Sequence, residues 1–177
     1  MIQIRTGITD EGPATLDAPL EHLMACHRRI EQRLATLERA GAALRERKDE
    51  ALAAIRSAFA FMDSNGAIHT RDEEESLFPR LQPTLAEADL ALVEVLKVEH
   101  EEEELIYLHL KQVVDHVQAG EEMALTEYDE TVARLCALYR RHIAAEDTRL
   151  MHVARSALSG NDLAAISSEM KSRRGLA

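Results

Sequence analysis

The stretch that decides the fold is residues 84–120, TLAEADLALVEVLKVEHEEEELIYLHLKQVVDHVQAG. Thr84 and Glu87 have the spacing of a capping box, and Gly120 is a typical helix terminator, so the stretch predicts one long helix. Its buried face is predicted by residues that recur at helical intervals, all apolar or aromatic except one histidine: Val93, Leu96, His100, Tyr107 and Val114. The sequence therefore predicts a long helix whose apolar side carries a histidine.

The same periodicity predicts three more long helices and a short last one. Their expected ranges are 17–47, 50–62 (resuming after a break), 126–158 and 162–173. The break is predicted at Asp63–Gly66, and Thr70 to Glu73 has the form of a capping box that restarts the helix. Short links between long helices favour antiparallel neighbours. We expect an all-α, antiparallel up-down four-helix bundle at residues 17–177, preceded by a tail or strap at residues 1–16.

Composition agrees with one helical domain and excludes several function classes. The chain has 177 residues, of which 46% are hydrophobic and only 3% aromatic, with 7 Gly and 4 Pro, and this mixture favours helix. A net charge of -11 argues against nucleic-acid and anionic membrane partners. No run is apolar enough to span a bilayer, and the N-terminus lacks a secretory signal. Cys26 and Cys136 lie far apart in apolar stretches, so we expect buried thiols and a cytoplasmic location.

Four of the eight histidines are followed by glutamate four residues later. The pairs are His27 with Glu31, His69 with Glu73, His100 with Glu104, and His142 with Glu146, one in each major helical segment. Residues four apart lie about 40° apart around a helix, so both side chains can reach one point near the bundle axis. Imidazole and carboxylate together suit iron, manganese or zinc, and a carboxylate can bridge two ions. The spacing thus indicates a metal site inside the bundle.

The four pairs also have an explanation without a metal, because a histidine and a glutamate four residues apart stabilise an ordinary exposed helix. His27, His100 and His142 favour the metal site because each interrupts an apolar face, where an unpartnered imidazole would cost free energy. The argument is weaker for His69 and Glu73, because Glu73 is also the last residue of the predicted capping box. The Glu-x-x-His motif of ferritin-like di-iron proteins is absent from the sequence.

Several motifs resemble the hemerythrin-like (HHE cation-binding) family. They are His69-x-x-x-Glu73-Glu74-x-x-Leu77-Phe78-Pro79, the His27-Arg28-Arg29-Ile30 segment, Glu99-His100 and His142-Ile143-Ala144-Ala145-Glu146. The resemblance covers roughly residues 17 to 174. It implies two non-haem iron ions bridged by carboxylates and an oxo or hydroxo group. The implied ligands are His27, His69, Glu73, His100, His142 and Glu146, with Glu73 and Glu146 as the bridges.

One position departs from the family pattern. Oxygen-carrying hemerythrins have a second histidine four residues after the one that His100 matches, and this chain has Glu104 there. We hypothesise that Glu104 points inward and is a seventh ligand. Glu31 matches no ligand, and His22 is expected to be solvated because it lies off the apolar stripe.

Three functions remain open on these grounds. The preferred one is a di-iron protein that binds or senses oxygen, nitric oxide or peroxide, since the sequence offers no obvious catalytic acid or base outside the expected ligands. The alternative is a stress-response enzyme or iron-centre repair protein that consumes peroxide or nitric oxide. In the third, a metal merely stabilises the bundle.

Overall fold

The computed structural model describes residues 16–176, and within them the chain is helical with no strand. The α-helices are α1 (Pro19–Leu44), α2 (Lys48–Phe61), α3 (Ala67–Asp72), α4 (Phe78–Leu81), α5 (Glu87–Ala119), α6 (Ala124–Ala145), α7 (Met151–Ala157) and α8 (Gly160–Arg173). The all-α prediction is confirmed. The predicted tail lies outside the described residues except for Leu16, which is buried.

Three π turns join the shorter helices into continuous rods. Met62–Gly66 connects α2 to α3, Glu73–Leu77 connects α3 to α4, and Glu146–Leu150 connects α6 to α7. A π turn accommodates one extra residue within a helix. The predicted break at Asp63–Gly66 is therefore wrong, because a wider turn absorbs these residues and the helix continues. Thr70 consequently lies inside the rod and caps nothing.

The four resulting rods are, in chain order, α1, α2 to α4, α5, and α6 with α7. Contacts between neighbouring rods show that they run antiparallel. Lys48 contacts Gln118 in α5, whereas Glu74, further along the second rod, contacts His100, earlier in α5. Residue numbers therefore fall along α5 as they rise along the second rod. The same reversal relates α1 to the fourth rod, and α5 to α6, through the pairs Leu37 with Tyr128, His27 with Asp147, Glu99 with Arg141, and Glu102 with Arg134.

The hydrophobic core is divided into two clusters along the bundle. The first contains Leu34, Leu37, Ile55, Leu110 and Leu135, among others. The second contains Leu23, Leu77, Phe78, Leu96, Leu150 and Met170, among others. A layer of buried histidines and glutamates occupies the bundle between them. This polar layer carries the candidate site.

Some of the capping residues predicted from the sequence end or begin a helix in the structure, and others do not. Gly120 has φ 88°, in the left-handed region, and ends α5 as predicted. Thr84 does not cap α5, which begins at Glu87 after Ala86, because the Thr84 hydroxyl donates to the Leu81 carbonyl instead. Ser159 and Asp162 form a capping box that starts α8 at Gly160. No helix in the described part of the chain combines the length and apolarity that crossing a membrane requires.

The C-terminal helix α8 is fixed to the second rod by a buried ionic cluster. Arg173 and Arg174 donate to the two carboxylate oxygens of Asp72 at 2.8 and 2.7 Å. Asp72 is fully buried, and burial raises the pKa of its carboxyl. Arg80 and Glu169 add a second contact at 2.6 Å. The end of α8 is thereby held beside Glu73, the next residue in the chain.

Candidate metal centre

Six side chains from all four rods converge in the polar layer. They form two groups that share both glutamates: His27, His69, Glu73 and Glu146 in one, and His100, His142, Glu73 and Glu146 in the other. Within each group one nitrogen or oxygen from every residue lies within 4.8 Å of the rest. We call these the first and second metal positions. Six of the seven residues expected from the sequence are thus brought together.

The two glutamates lie between the histidines of both positions. Glu73 Oε1 is 3.4 Å from His27 Nε2 and 3.3 Å from His69 Nε2. Its other oxygen is 3.5 Å from His100 Nε2. Glu146 Oε2 is 3.1 Å from His27 Nε2 and 3.3 Å from His142 Nε2. Each carboxylate therefore contacts histidines of both groups, as a bridge between two cations requires.

The carboxylate oxygens show whether these residues fit a pair of cations. Glu73 and Glu146 are 0% exposed, and none of their four oxygens has a hydrogen-bond partner among residues 16–176. His27 Nε2 likewise lacks one there, although it lies within ion-pair distance of both glutamates. Buried carboxylates without donors are costly unless cations compensate them. The donor set and its unsatisfied oxygens fit two cations.

A second layer of carboxylates orients three of the four imidazole rings. His27 Nδ1 lies 2.8 Å from Asp147 Oδ1, and His100 Nδ1 lies 2.8 Å from Glu74 Oε1. His142 Nδ1 is 3.1 Å from Glu99 Oε2. Such contacts place the N–H on Nδ1 and direct Nε2 toward the site, the arrangement usual for metal-binding histidines.

His69 is the exception to this pattern. Its Nδ1 atom is buried and lacks a hydrogen-bond partner within the described part of the chain. Burial lowers the pKa of His69 to about 4. Burial also acts to lower the pKa of His27, but the hydrogen bond to Asp147 and the nearby carboxylates of Glu146 and Glu73 outweigh it and raise that pKa to about 12. The two rings of the first position differ because His27 meets carboxylates at both nitrogens and His69 at only one.

Glu104 does not take the place expected of it. Its side chain is exposed and belongs to neither group, so the prediction that it points inward is wrong. The preceding residue, Glu103, is the inward one, with 3% of its surface exposed. Burial raises the pKa of Glu103 to about 7. A spacing of four from a histidine could not identify Glu103, because it lies three residues after His100.

Two further expectations concern residues of α1. Glu31 lies outside both groups and pairs with Arg140 at 3.4 Å. His22 was expected to be solvated, but it is only 5% exposed. The helices α7 and α8 pack against α1, and Arg174 is close enough to contribute to the lowered pKa of His22, after burial itself. The sequence did not reveal which face of α1 the last helix would cover.

A small cavity adjoins the site on the side of the first core cluster. It is lined by Ile30, Gly66, His69, Thr70, His100, Glu103, Tyr139, His142 and Ile143, and has room for about one water-sized molecule. Three of the converging histidines therefore border a space in which a diatomic or similarly small ligand could approach a bound metal.

Cys26 and Cys136 are both buried and free, as expected. Burial raises the pKa of Cys26 to about 11, and neither cysteine belongs to the two groups of converging residues. The site thus consists of nitrogen and oxygen donors alone.

Comparison with known families agrees with this chemistry. The sequence model of the hemerythrin HHE cation binding domain matches residues 18–154, most of the chain and all six converging residues. A search of curated proteins found no match to the chain.

Proposed function

The chain belongs to the hemerythrin HHE cation-binding domain family, and from this premise we propose that it is a di-iron protein that binds or senses a small molecule. His27 and His69 hold one iron, and His100 and His142 hold the other. Glu73 and Glu146 bridge them, with an oxo or hydroxo group as an additional bridge. The ligand is oxygen, nitric oxide or peroxide, and the adjoining cavity is the side from which it would approach.

One observation carries the proposal above the others. Two fully buried glutamates contribute four oxygens without a hydrogen-bond donor among residues 16–176, and histidines from all four rods surround them. In a structural ion pair these oxygens would be hydrogen-bonded, so their lack of donors favours a pair of bound cations.

The donor set supports iron over softer ions. Imidazole and carboxylate suit first-row divalent ions, whereas the thiolate ligands that select copper(I) and many zinc sites are absent from both groups of converging residues. When bound, the iron pair supplies a redox-active centre with a position for the ligand. The protein residues hold that centre rigid through the contacts of Asp147, Glu74 and Glu99 to the imidazole rings.

The test is iron stoichiometry and its optical signature. The protein is loaded with ferrous iron under argon, desalted, analysed for metal, and then cycled between air and argon or titrated with nitric oxide. We expect two irons per chain and absorption bands that change reversibly with the ligand. A protein that binds one iron or none, or that retains only zinc and stays colourless, would contradict the proposal and favour a structural role for the metal.

A second function is supported by Glu103. This buried carboxyl lines the cavity, although the sequence offered no catalytic acid or base outside the expected ligands. A carboxyl beside the bound ligand is what an enzyme consuming peroxide or nitric oxide, or a repair protein for iron centres, would use. Sustained peroxide loss, with many molecules consumed per iron pair, would favour this enzyme. Reversible ligand binding without turnover would favour the binding protein.

A further inference from the structure

Glu103 is a buried polar group that the iron ligands leave unused. It is 3% exposed, and its Oε1 atom has no hydrogen-bond partner in the described range 16–176. The nearest ring nitrogen, His142 Nδ1, lies 3.9 Å away, beyond hydrogen-bond distance. The Tyr139 hydroxyl interacts with the Glu103 side chain, so Oε1 is the oxygen left without a donor. Leaving such an acceptor unpaired costs free energy comparable to a lost hydrogen bond, so a partner from outside the chain is expected at Oε1.

The position of Glu103 excludes it from direct metal binding. It belongs to neither group of converging residues. It approaches His142 from the Nδ1 side, whereas His142 Nε2 faces Glu146 at 3.3 Å. Glu103 therefore lies across the imidazole ring from the metal position, at the cavity wall.

A second group that lines the cavity complements Glu103. His69 also lines it, and His69 Nδ1 is a second buried atom without a partner in the described residues. Because His69 Nε2 faces the Glu73 carboxylate at 3.3 Å, a metal on Nε2 leaves the proton on Nδ1, which then donates. The lining residues thus include one unsatisfied acceptor and one unsatisfied donor.

We propose that Glu103 makes this cavity selective for a small hydroxylic molecule, hydrogen peroxide or the water that it displaces. Such a molecule donates a hydrogen bond to the Glu103 carboxyl oxygen and can accept one as well. Oxygen and nitric oxide carry no hydrogen and cannot donate to the ionised Glu103 carboxylate. This inference rests on the proposed function, because the selected molecule is the one presented to the iron pair.

The test compares iron-loaded variants at two adjacent glutamates. Glu103→Leu keeps the side-chain volume similar and removes the acceptor, while Glu103→Gln retains an acceptor oxygen. Glu104→Leu, at the exposed neighbour, is the matched control. The association rate constant for hydrogen peroxide is measured by stopped flow, and the dissociation constant for nitric oxide by absorption.

We expect Glu103→Leu to slow association of peroxide about tenfold, as loss of one hydrogen bond to a buried group implies, with nitric oxide affinity unchanged or higher. Glu103→Gln should stay within about threefold of the wild type for peroxide. Equal effects on both ligands, or no effect on peroxide, would overturn the inference. A fall from two irons to one in Glu103→Leu would also overturn it, because Glu103 would then be a ligand.

A readout that needs no metal complements these rates. In the metal-free protein, Glu103→Leu should raise the Tm by about 2 to 4 °C, since a buried unpaired acceptor is removed, and Glu104→Leu should not. A lower Tm in Glu103→Leu would mean that the carboxyl already has a structural partner. If the wild type takes up no iron, the proposed function itself fails. If it takes up two and Glu103→Leu behaves as the wild type, only the selectivity fails.

Discussion

Two segments of the chain, residues 69–74 and 142–147, build the site in the same way and differ in what surrounds them. Each begins with a histidine, has glutamate at its fifth place and an acid at its sixth, and enters a π turn at the glutamate. In each, the histidine serves one metal position and the acid supports a histidine of the other. Glu74 holds His100, and Asp147 holds His27.

The surroundings make these two segments unequal. In the second segment His142 Nδ1 has Glu99 as a partner, whereas His69 Nδ1 has none among the described residues. The residue before the first glutamate is the buried Asp72, bound by two arginines, and the one before the second is Ala145. The shared pattern therefore fixes the geometry of the pair, and the neighbours give the two positions different properties.

The largest expected effect tests what the segments share. Glu73→Gln and Glu146→Gln keep the side-chain volume but remove the negative charge that would bridge two cations. We expect each to lower iron affinity by more than the roughly 100-fold that loss of an outer partner can cost, so that fewer than two irons remain after desalting. Metal analysis measures this. Retention of two irons by either variant would show that its glutamate is no bridge.

The next effect tests the buried cluster beside the first segment. Asp72→Ala leaves Arg173 and Arg174 without their carboxylate and should lower the free energy of unfolding by roughly 3 kcal/mol, the lower end for such a loss because both arginines keep some exposure. Urea denaturation of the metal-free protein measures it. Glu75→Ala, which removes surface pairs to Arg71 and Arg173, is the control and should lower the free energy of unfolding far less than Asp72→Ala does.

A smaller effect separates the two metal positions. Glu74→Ala should weaken the iron held by His100 and His142, and Asp147→Ala the iron held by His27 and His69, each by about 10- to 100-fold. Stepwise iron titration should then show one strong and one weak site in each variant, with both weakened in the double variant. The exposed Glu101→Ala is the control. Loss of the same iron in both variants would contradict the inference that each acidic residue supports a histidine of the other metal position.

The smallest effect makes the segments more alike. Glu99→Ala removes the Nδ1 partner of His142, so that this ring resembles His69. We expect the affinity of the second position for iron to fall about tenfold, the lower end for an outer partner. The same titration detects it. An unchanged affinity would mean that Glu99 serves Arg141, which it binds at 2.8 Å, rather than the histidine.

Much of the fold could be predicted because amphipathic stripes are a local property of sequence. Amphipathic stripes do not show whether the chain breaks or continues at Asp63–Gly66. Turn-forming residues also fit a π turn when packing on both sides holds the rod straight. The recurrence of the two segments is not evident from the sequence. They agree only in the histidine, the glutamate at the fifth place and the acidic residue at the sixth, and the residues between these differ.

The site shows the limit of a spacing rule. Residues four after a histidine proved inward at Glu73 and Glu146 but not at Glu104. His100 lies toward one edge of the buried face of α5, so that a step of four moves about 40° further outward, while a step of three turns back by about 60°. Glu103 was detectable, because it falls seven residues from both Leu96 and Leu110 on the buried stripe.

The polar layer between the two core clusters has a consequence for the dynamics of the protein. Each cluster is bounded by ionisable groups rather than by continuous apolar packing, and units of this kind can open separately. Ions bound by all four rods stabilise only the state in which both clusters are formed. Amide hydrogen exchange should accordingly report two opening units without metal and a single one with metal. The change should extend to amides that lie far in the sequence from any of the proposed ligands.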